Sequence, residues 1–161
     1  LIINKDIPDV IEDKNTIEEN AKKKAKECYE VFKSPIISDD SGLFVDALKG
    51  QPGVHSKRYA GFSSTDVENN QKLINELKTA DNLSAFFKTV LCYFDGLNFI
   101  TSEGVLEGNI VFEPRGKNGF GYDPIFEVSG KTLAEMTLDE KSNISHRKLA
   151  AVKLVGKLNE I

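Results

Sequence analysis

Histidine and cysteine are scarce, with two of each in 161 residues. Cys28 and Cys92 lie far apart, with neither a Cys-x-x-Cys pair nor the Cys/His spacing of a metal site, so nothing points to a disulfide framework or a zinc ribbon. Both sit in apolar stretches and read as reduced core thiols, which suits a cytoplasmic compartment. A run of about 18 apolar residues, the minimum for a membrane span, is missing too. So is any basic stripe. The net charge is -4 and the lysines are scattered among the acids, so electrostatics give no reason to expect binding along a nucleic acid. A small polyanionic ligand would need local pockets. Neither the Walker Gly-x-x-x-x-Gly-Lys string nor the dinucleotide fingerprint occurs, and no internal repeat or low-complexity linker divides the chain. What is present is ordinary for a soluble globular protein, 40% hydrophobic and 29% charged, and a single domain over residues 1–161 is expected.

Thr16 and Glu19 form a capping box ahead of Ile17, Ala21, Ala25, Cys28 and Phe32 at helical spacing, until Ser34-Pro35 stops the pattern. Ile36 and Ile37 predict a short buried strand that delivers Ser38-Asp39-Asp40-Ser41-Gly42 to its end, which places the acids at a turn. A long irregular stretch marked by Gly50, Pro52, Gly53 and Gly61 follows, and Thr65 and Glu68 then cap a second helix carrying Leu73, Ile74 and Leu77. The run from Ala85 to Phe94, the turn at Asp95-Gly96 and the run from Leu97 to Val111 predict antiparallel strands. Residues 113–124 are too rich in Gly and Pro for regular structure. Ile144, Ala151, Leu154, Val155 and Leu158 then give the C-terminal segment one apolar helical stripe. The class is mixed α/β, a central sheet flanked by helices. Leu1-Ile2-Ile3 reads as the end of a strand already under way, so the domain is expected to be incomplete at its N-terminus.

Three strings could carry chemistry. Asp39 and Asp40 could offer hard oxygen ligands to Mg²⁺ beside a substrate phosphate, with Glu12 as a third carboxylate; the bland alternative is that Asp-Asp-Ser-Gly is simply turn chemistry. Gly116-Lys117-Asn118-Gly119-Phe120-Gly121-Tyr122-Asp123-Pro124 offers permissive backbone, aromatic faces for stacking a base and an adjacent carboxylate, or else a turn with two packed aromatics. Lys141, His146 and Arg147 gather where the last helix begins, with Ser142 or Ser145 as its cap, so donors and the positive helix end would meet an acceptor-rich ligand; singly, each reads as solvated surface. His55, in the glycine-proline loop, reads as a polar loop residue.

Taken together, SDDSGLFVDALKGQPGVHSKRYAG from Ser38, PRGKNGFGYDPIF from Pro114, KTLAEMTLDEKSNISHR from Lys131 and the helix opening at Thr16 resemble the inosine triphosphate pyrophosphatase family over nearly the whole chain. The resemblance implies an α/β fold with a mixed central sheet, and two lobes enclosing a cleft. It also implies a homodimer, and metal-dependent hydrolysis of inosine, deoxyinosine and xanthosine triphosphates to monophosphate and pyrophosphate. Mg²⁺, or Mn²⁺, would be the cofactor and a nucleoside triphosphate the small-molecule partner. By position, the resemblance makes Asp40 the acid of the catalytic centre and pairs it with Glu12 at the metal. It gives Ser41 a substrate contact, stacks Phe120 on the base, and places Gly121, Tyr122 and Asp123 in the same binding loop. Lys141, His146 and Arg147 would read the base edge. The family's opening strand and its Ser/Thr-x-Asn-x-x-Lys phosphate loop have no match before Glu12, and His55 stands where the family more often has Tyr. A fragment of a longer enzyme is the reading taken; a shortened relative that binds nucleotide without turnover is the alternative.

Overall fold

The computed structural model describes residues 7–160; Leu1-Ile2-Ile3, read above as a strand end, lies outside them. Helix α1, Ile17–Phe32, starts where the Thr16 hydroxyl accepts from the Glu19 amide and ends at Lys33 in the left-handed conformation. Its buried side chains are Ile17, Asn20, Ala21, Ala25 and Cys28. Asn20 is a polar side chain the periodicity did not place there, while Phe32 is only half-buried.

Strand β1, Ile36–Val45, runs straight through the acid string. The expected turn is therefore absent, and the reason is that pairing and side-chain bonds together outweigh local turn propensity. All ten residues of β1 pair antiparallel with β2, Ser84–Phe94. The polar side chains find partners on both faces: Ser38 Oγ donates to Ala21 O at 2.6 Å, and the Ser41 and Thr89 hydroxyls are 2.7 Å apart. Antiparallel β3, Phe99–Ile110, follows as the sequence leads one to expect, and the short strands β4, Phe126–Val128, and β5, Lys131–Thr132, complete a five-stranded meander. Every pairing among the described residues is antiparallel.

Because successive side chains of a strand point to opposite faces, β1 serves two cores. Leu43 and Val45 join Leu73, Leu77, Ile110, Ile125 and Phe126 in one cluster, to which α2, Asp66–Leu77, contributes its apolar face. Ile17, Ala21 and Ala25 of α1 form the other cluster with Val90, Cys92 and Phe94. Each fully buried Leu, Ile or Phe contributes about 1.5–3 kcal/mol relative to exposure. Both cysteines are buried and free, and burial pushes the Cys92 thiol up to about 11, as suits a packing role.

The C-terminal stripe divides. Helix α3, Leu138–Ile144, stops at Ser145, whose extended backbone caps a new helix, α4, His146–Leu158. Of the expected stripe in α4 only Leu154 is buried, joined by Ala150, whereas Ala151 and Val155 face outward. The helix seats instead on β3, where Ser102 Oγ donates to Ala150 O at 2.8 Å, and Lys153 and Lys157 donate to the carbonyls of Glu103 and Thr101.

Candidate active site

An acid centre lies between α1 and β1. Asp40 is 7% exposed and points to the α1 side, where Lys24 Nζ lies 3.0 Å from its Oδ1, 2.6 Å from Glu12 Oε1 and 2.8 Å from the Asp39 carbonyl. Burial raises the Asp40 carboxyl above its ordinary range, and the Lys24 charge opposes that only in part. Burial also works against the Lys24 ammonium, but Glu12 and Asp40 more than offset it, so Lys24 is held charged. The segment carrying Glu12 is tied down from two sides. Arg58 Nη2 donates to Glu12 O at 2.8 Å, and the Asn20 Oδ1 accepts from Lys14 N at 3.0 Å. Asn20 Nδ2 is buried and has no partner.

Two carboxylates and one carbonyl thus converge on a single positive point. This oxygen-only donor set fits a hard divalent ion that keeps several waters and takes phosphate oxygens as further ligands. No group of three or more His, Cys, Asp or Glu suited to a metal occurs among the described residues, so the protein would supply two carboxylates and not a cage. Asp39 does not join Asp40. Strand alternation turns its side chain to the opposite face, where its Oδ2 lies 3.6 Å from Arg147 Nε. The Asp39–Asp40 ligand pair envisaged from a turn is therefore corrected: the extended backbone separates them.

A second group of side chains surrounds Phe120, which is 65% exposed. Lys141 Nζ stands 5.3 Å and Arg147 Cζ 5.9 Å from the centre of its ring. Asp123 organises the loop beneath: its Oδ2 accepts from the Phe120 amide at 3.0 Å and from Lys141 Nζ. Gly119 has a positive φ, and a Cβ there would lie 1.9 Å from that same oxygen. Gly121 is gripped by the start of α2, its amide donating to Asp66 Oδ2 at 2.7 Å and its carbonyl accepting from Asn70 Nδ2 at 3.1 Å.

Tyr122 belongs to the core. It is 5% exposed, its hydroxyl donates to Ser56 O at 2.7 Å, and burial raises its pKa. Its ring faces inward from the loop that displays Phe120, so its part in that loop is structural. The His146 ring lies flat on Phe87, with centroids 5.2 Å apart and planes 9° apart. Burial, helped by the charges of Arg147 and Lys141, lowers its pKa to about 4, so it is a neutral donor and acceptor at pH 7. Its Nδ1 is buried without a partner. Ser41 shares a face with Asp39, beside Thr89.

The structure thus gathers Phe120, Asp123, Lys141 and Arg147, and separately Glu12 and Asp40. The contact between Asp39 and Arg147 connects the two groups. Sequence reasoning missed Lys24, Asn20, Arg58, Asp66 and Asn70. Only Asn20 and Lys24 carried a signal, as polar residues three and seven positions after Ile17, in line with the apolar stripe of α1. A cavity of about 540 Å³ lined by Asp46, Phe86, Glu107 and Glu127 shares no residue with either group, and one of about 390 Å³ beside His55 and Phe62 meets the acid centre only through Arg58, which holds the Glu12 carbonyl. Phe120 stands on the open surface, while Asp40 and Asp123 are buried.

Residues 2–157 match the Ham1 family. A dITP/XTP pyrophosphatase of Caldanaerobacter subterraneus subsp. tengcongensis is 50% identical over 151 residues, 91% of this chain and 76% of that protein. One from Streptococcus pneumoniae serotype 4 is 44% identical over 156 residues, 93% and 78% of the two chains. Among solved structures, a HAM1 protein from Coxiella burnetii superposes with a TM-score of 0.90 at 43% identity, covering 96% of this chain and 82% of that one. The Staphylococcus aureus Ham1 protein gives 0.90 at 39% identity, with 94% and 81% covered. The chain belongs to the Ham1 family.

Proposed function

We propose that this chain hydrolyses non-standard purine nucleoside triphosphates, deoxyinosine and xanthosine triphosphate in the first place, to the monophosphate and pyrophosphate. The dITP/XTP pyrophosphatases among its relatives support the reading. The observation that carries it is the pairing of an exposed aromatic plate flanked by two cations with a buried carboxylate centre, connected through consecutive residues of β1. The Phe120 ring would stack on the base, with Lys141, Arg147 and the neutral His146 at its edge. Lys and Arg have only donors, so a 6-keto oxygen satisfies them while the 6-amino group of adenine leaves a donor unpaired.

Glu12 and Asp40 would hold Mg²⁺ or Mn²⁺, which when bound neutralises charge on the triphosphate. The remaining work falls to the chain's own groups. The Asp40 carboxylate, raised by burial toward neutral pH, accepts a proton from the attacking water, and Lys24 keeps it ionised and pointed. Ser41 contacts the substrate from the other face of β1. A cytoplasmic homodimer is part of the same proposal.

The test is pyrophosphate release from inosine, xanthosine, guanosine and adenosine triphosphates with Mg²⁺, with Asp40→Asn as control. Release from the inosine and xanthosine compounds is expected, slowed about 10²-fold or more in Asp40→Asn with helix content unchanged. Equal release from adenosine triphosphate, or full turnover by Asp40→Asn, would overturn the assignment.

A further inference from the structure

The seating of α4 on the sheet depends on one residue with no side chain. Gly104 lies in the middle of β3, is buried, and stands in one cross-strand row with Thr89 and Ser41. Directly paired residues share a face, so a side chain at 104 would point to the face that carries Ser41 and Asp39. That space is filled by the start of α4. An ideal Cβ on Gly104 would lie 1.9 Å from His146 O, 2.9 Å from His146 C and 2.7 Å from Ala150 N. All three are backbone atoms and cannot rotate away. Restoring an ordinary carbon–oxygen contact would require the helix start to retreat on the order of 1 Å. The ring of His146 is fixed from another direction by Phe87, so a retreat of the backbone tilts or unstacks it. Arg147 moves with it, away from Phe120 and Asp39.

We propose that Gly104 is a positioning residue of the base pocket: by letting the His146 backbone rest on β3, it sets where His146 and Arg147 meet the ligand. The inference rests on the reading of that pocket given above. Gly104 touches neither substrate nor the acid centre, which lies on the other face of β1, so its effect falls on binding and not on the chemical step.

The experiment compares the chain with Gly104→Ala and Ser102→Ala, the second cutting the neighbouring tie to Ala150 O without adding an atom. Circular dichroism reports folding, steady-state kinetics with inosine triphosphate report KM and kcat, and NMR follows the ring of His146, one of only two histidines. In Gly104→Ala, KM is expected to rise about tenfold or more with kcat within about threefold. The His146 ring signal should lose its Phe87 ring-current shift, and its titration should move up from about 4. Ser102→Ala should raise KM about two- to threefold, also with kcat unchanged. An unchanged KM and histidine signal in Gly104→Ala overturns the proposal. So does failure of Gly104→Ala to fold together with wild-type KM in Ser102→Ala, which would make Gly104 a packing residue only. If the unaltered chain neither binds nor hydrolyses inosine triphosphate while Gly104→Ala still shifts the His146 signal, the substrate reading fails and the seating role stands.

Discussion

Lys24 holds the acid centre together, since its ammonium touches both carboxylates and the strand that presents Asp40. Replacing it with Met removes the positive charge that opposes the effect of burial on Asp40. The carboxyl should then titrate higher still, and a base that must be ionised loses activity as pH falls through its pKa. The acid limb of the kcat/KM profile is therefore expected to move to higher pH in Lys24→Met. An unmoved limb would remove Asp40 as the base or Lys24 as its partner. Much of this centre was open to a reader of the sequence: Asp40 and Glu12 were named from it, and Asn20 and Lys24 stood as polar interruptions of an apolar stripe. Arg58 was not, because its bond to Glu12 O spans 46 positions in a segment without periodicity.

Elements show where local signals fail. The Thr65–Glu68 capping box, the hairpin at Asp95 and the glycine-rich loop follow from nearest neighbours, and the structure has them, while at Thr16 only the hydroxyl half of the expected box forms. The straight course of β1 does not, because turn-prone residues became a strand only when ten partners on β2 were available. Helix α2 was legible as a helix yet its use was not: Asp66 and Asn70 in its first turns hold both backbone groups of Gly121, more than fifty positions away. Asn70→Ala should raise KM for inosine triphosphate about three- to tenfold with little change in kcat, since it frees the loop under Phe120 and leaves the acids untouched. Thr65→Ala, which removes the cap that starts this helix, should cost about 1 kcal/mol in urea unfolding. Equal KM in Asn70→Ala and the unaltered chain would show that the loop holds itself.

At the scale of the whole molecule, the sheet is a wall between two tasks. On the α1 side stand Asp40, Lys24 and Glu12, and on the α4 side Asp39, Ser41 and His146. The two cores that hold these sides also share β1, and assembly as the proposed homodimer is checked by sedimentation equilibrium, where a species at twice the chain mass is expected and a monomer at micromolar concentration would count against it. The alternation of β1 has one more result. Asp39, which Arg147 reaches from the α4 side, and Asp40, the proposed base on the α1 side, are neighbours along the chain, about 3.8 Å apart at their Cα atoms. One strand thus serves as a partition a single residue thick, with base-side and acid-side carboxylates back to back on successive positions, so either can be replaced without altering the face the other presents.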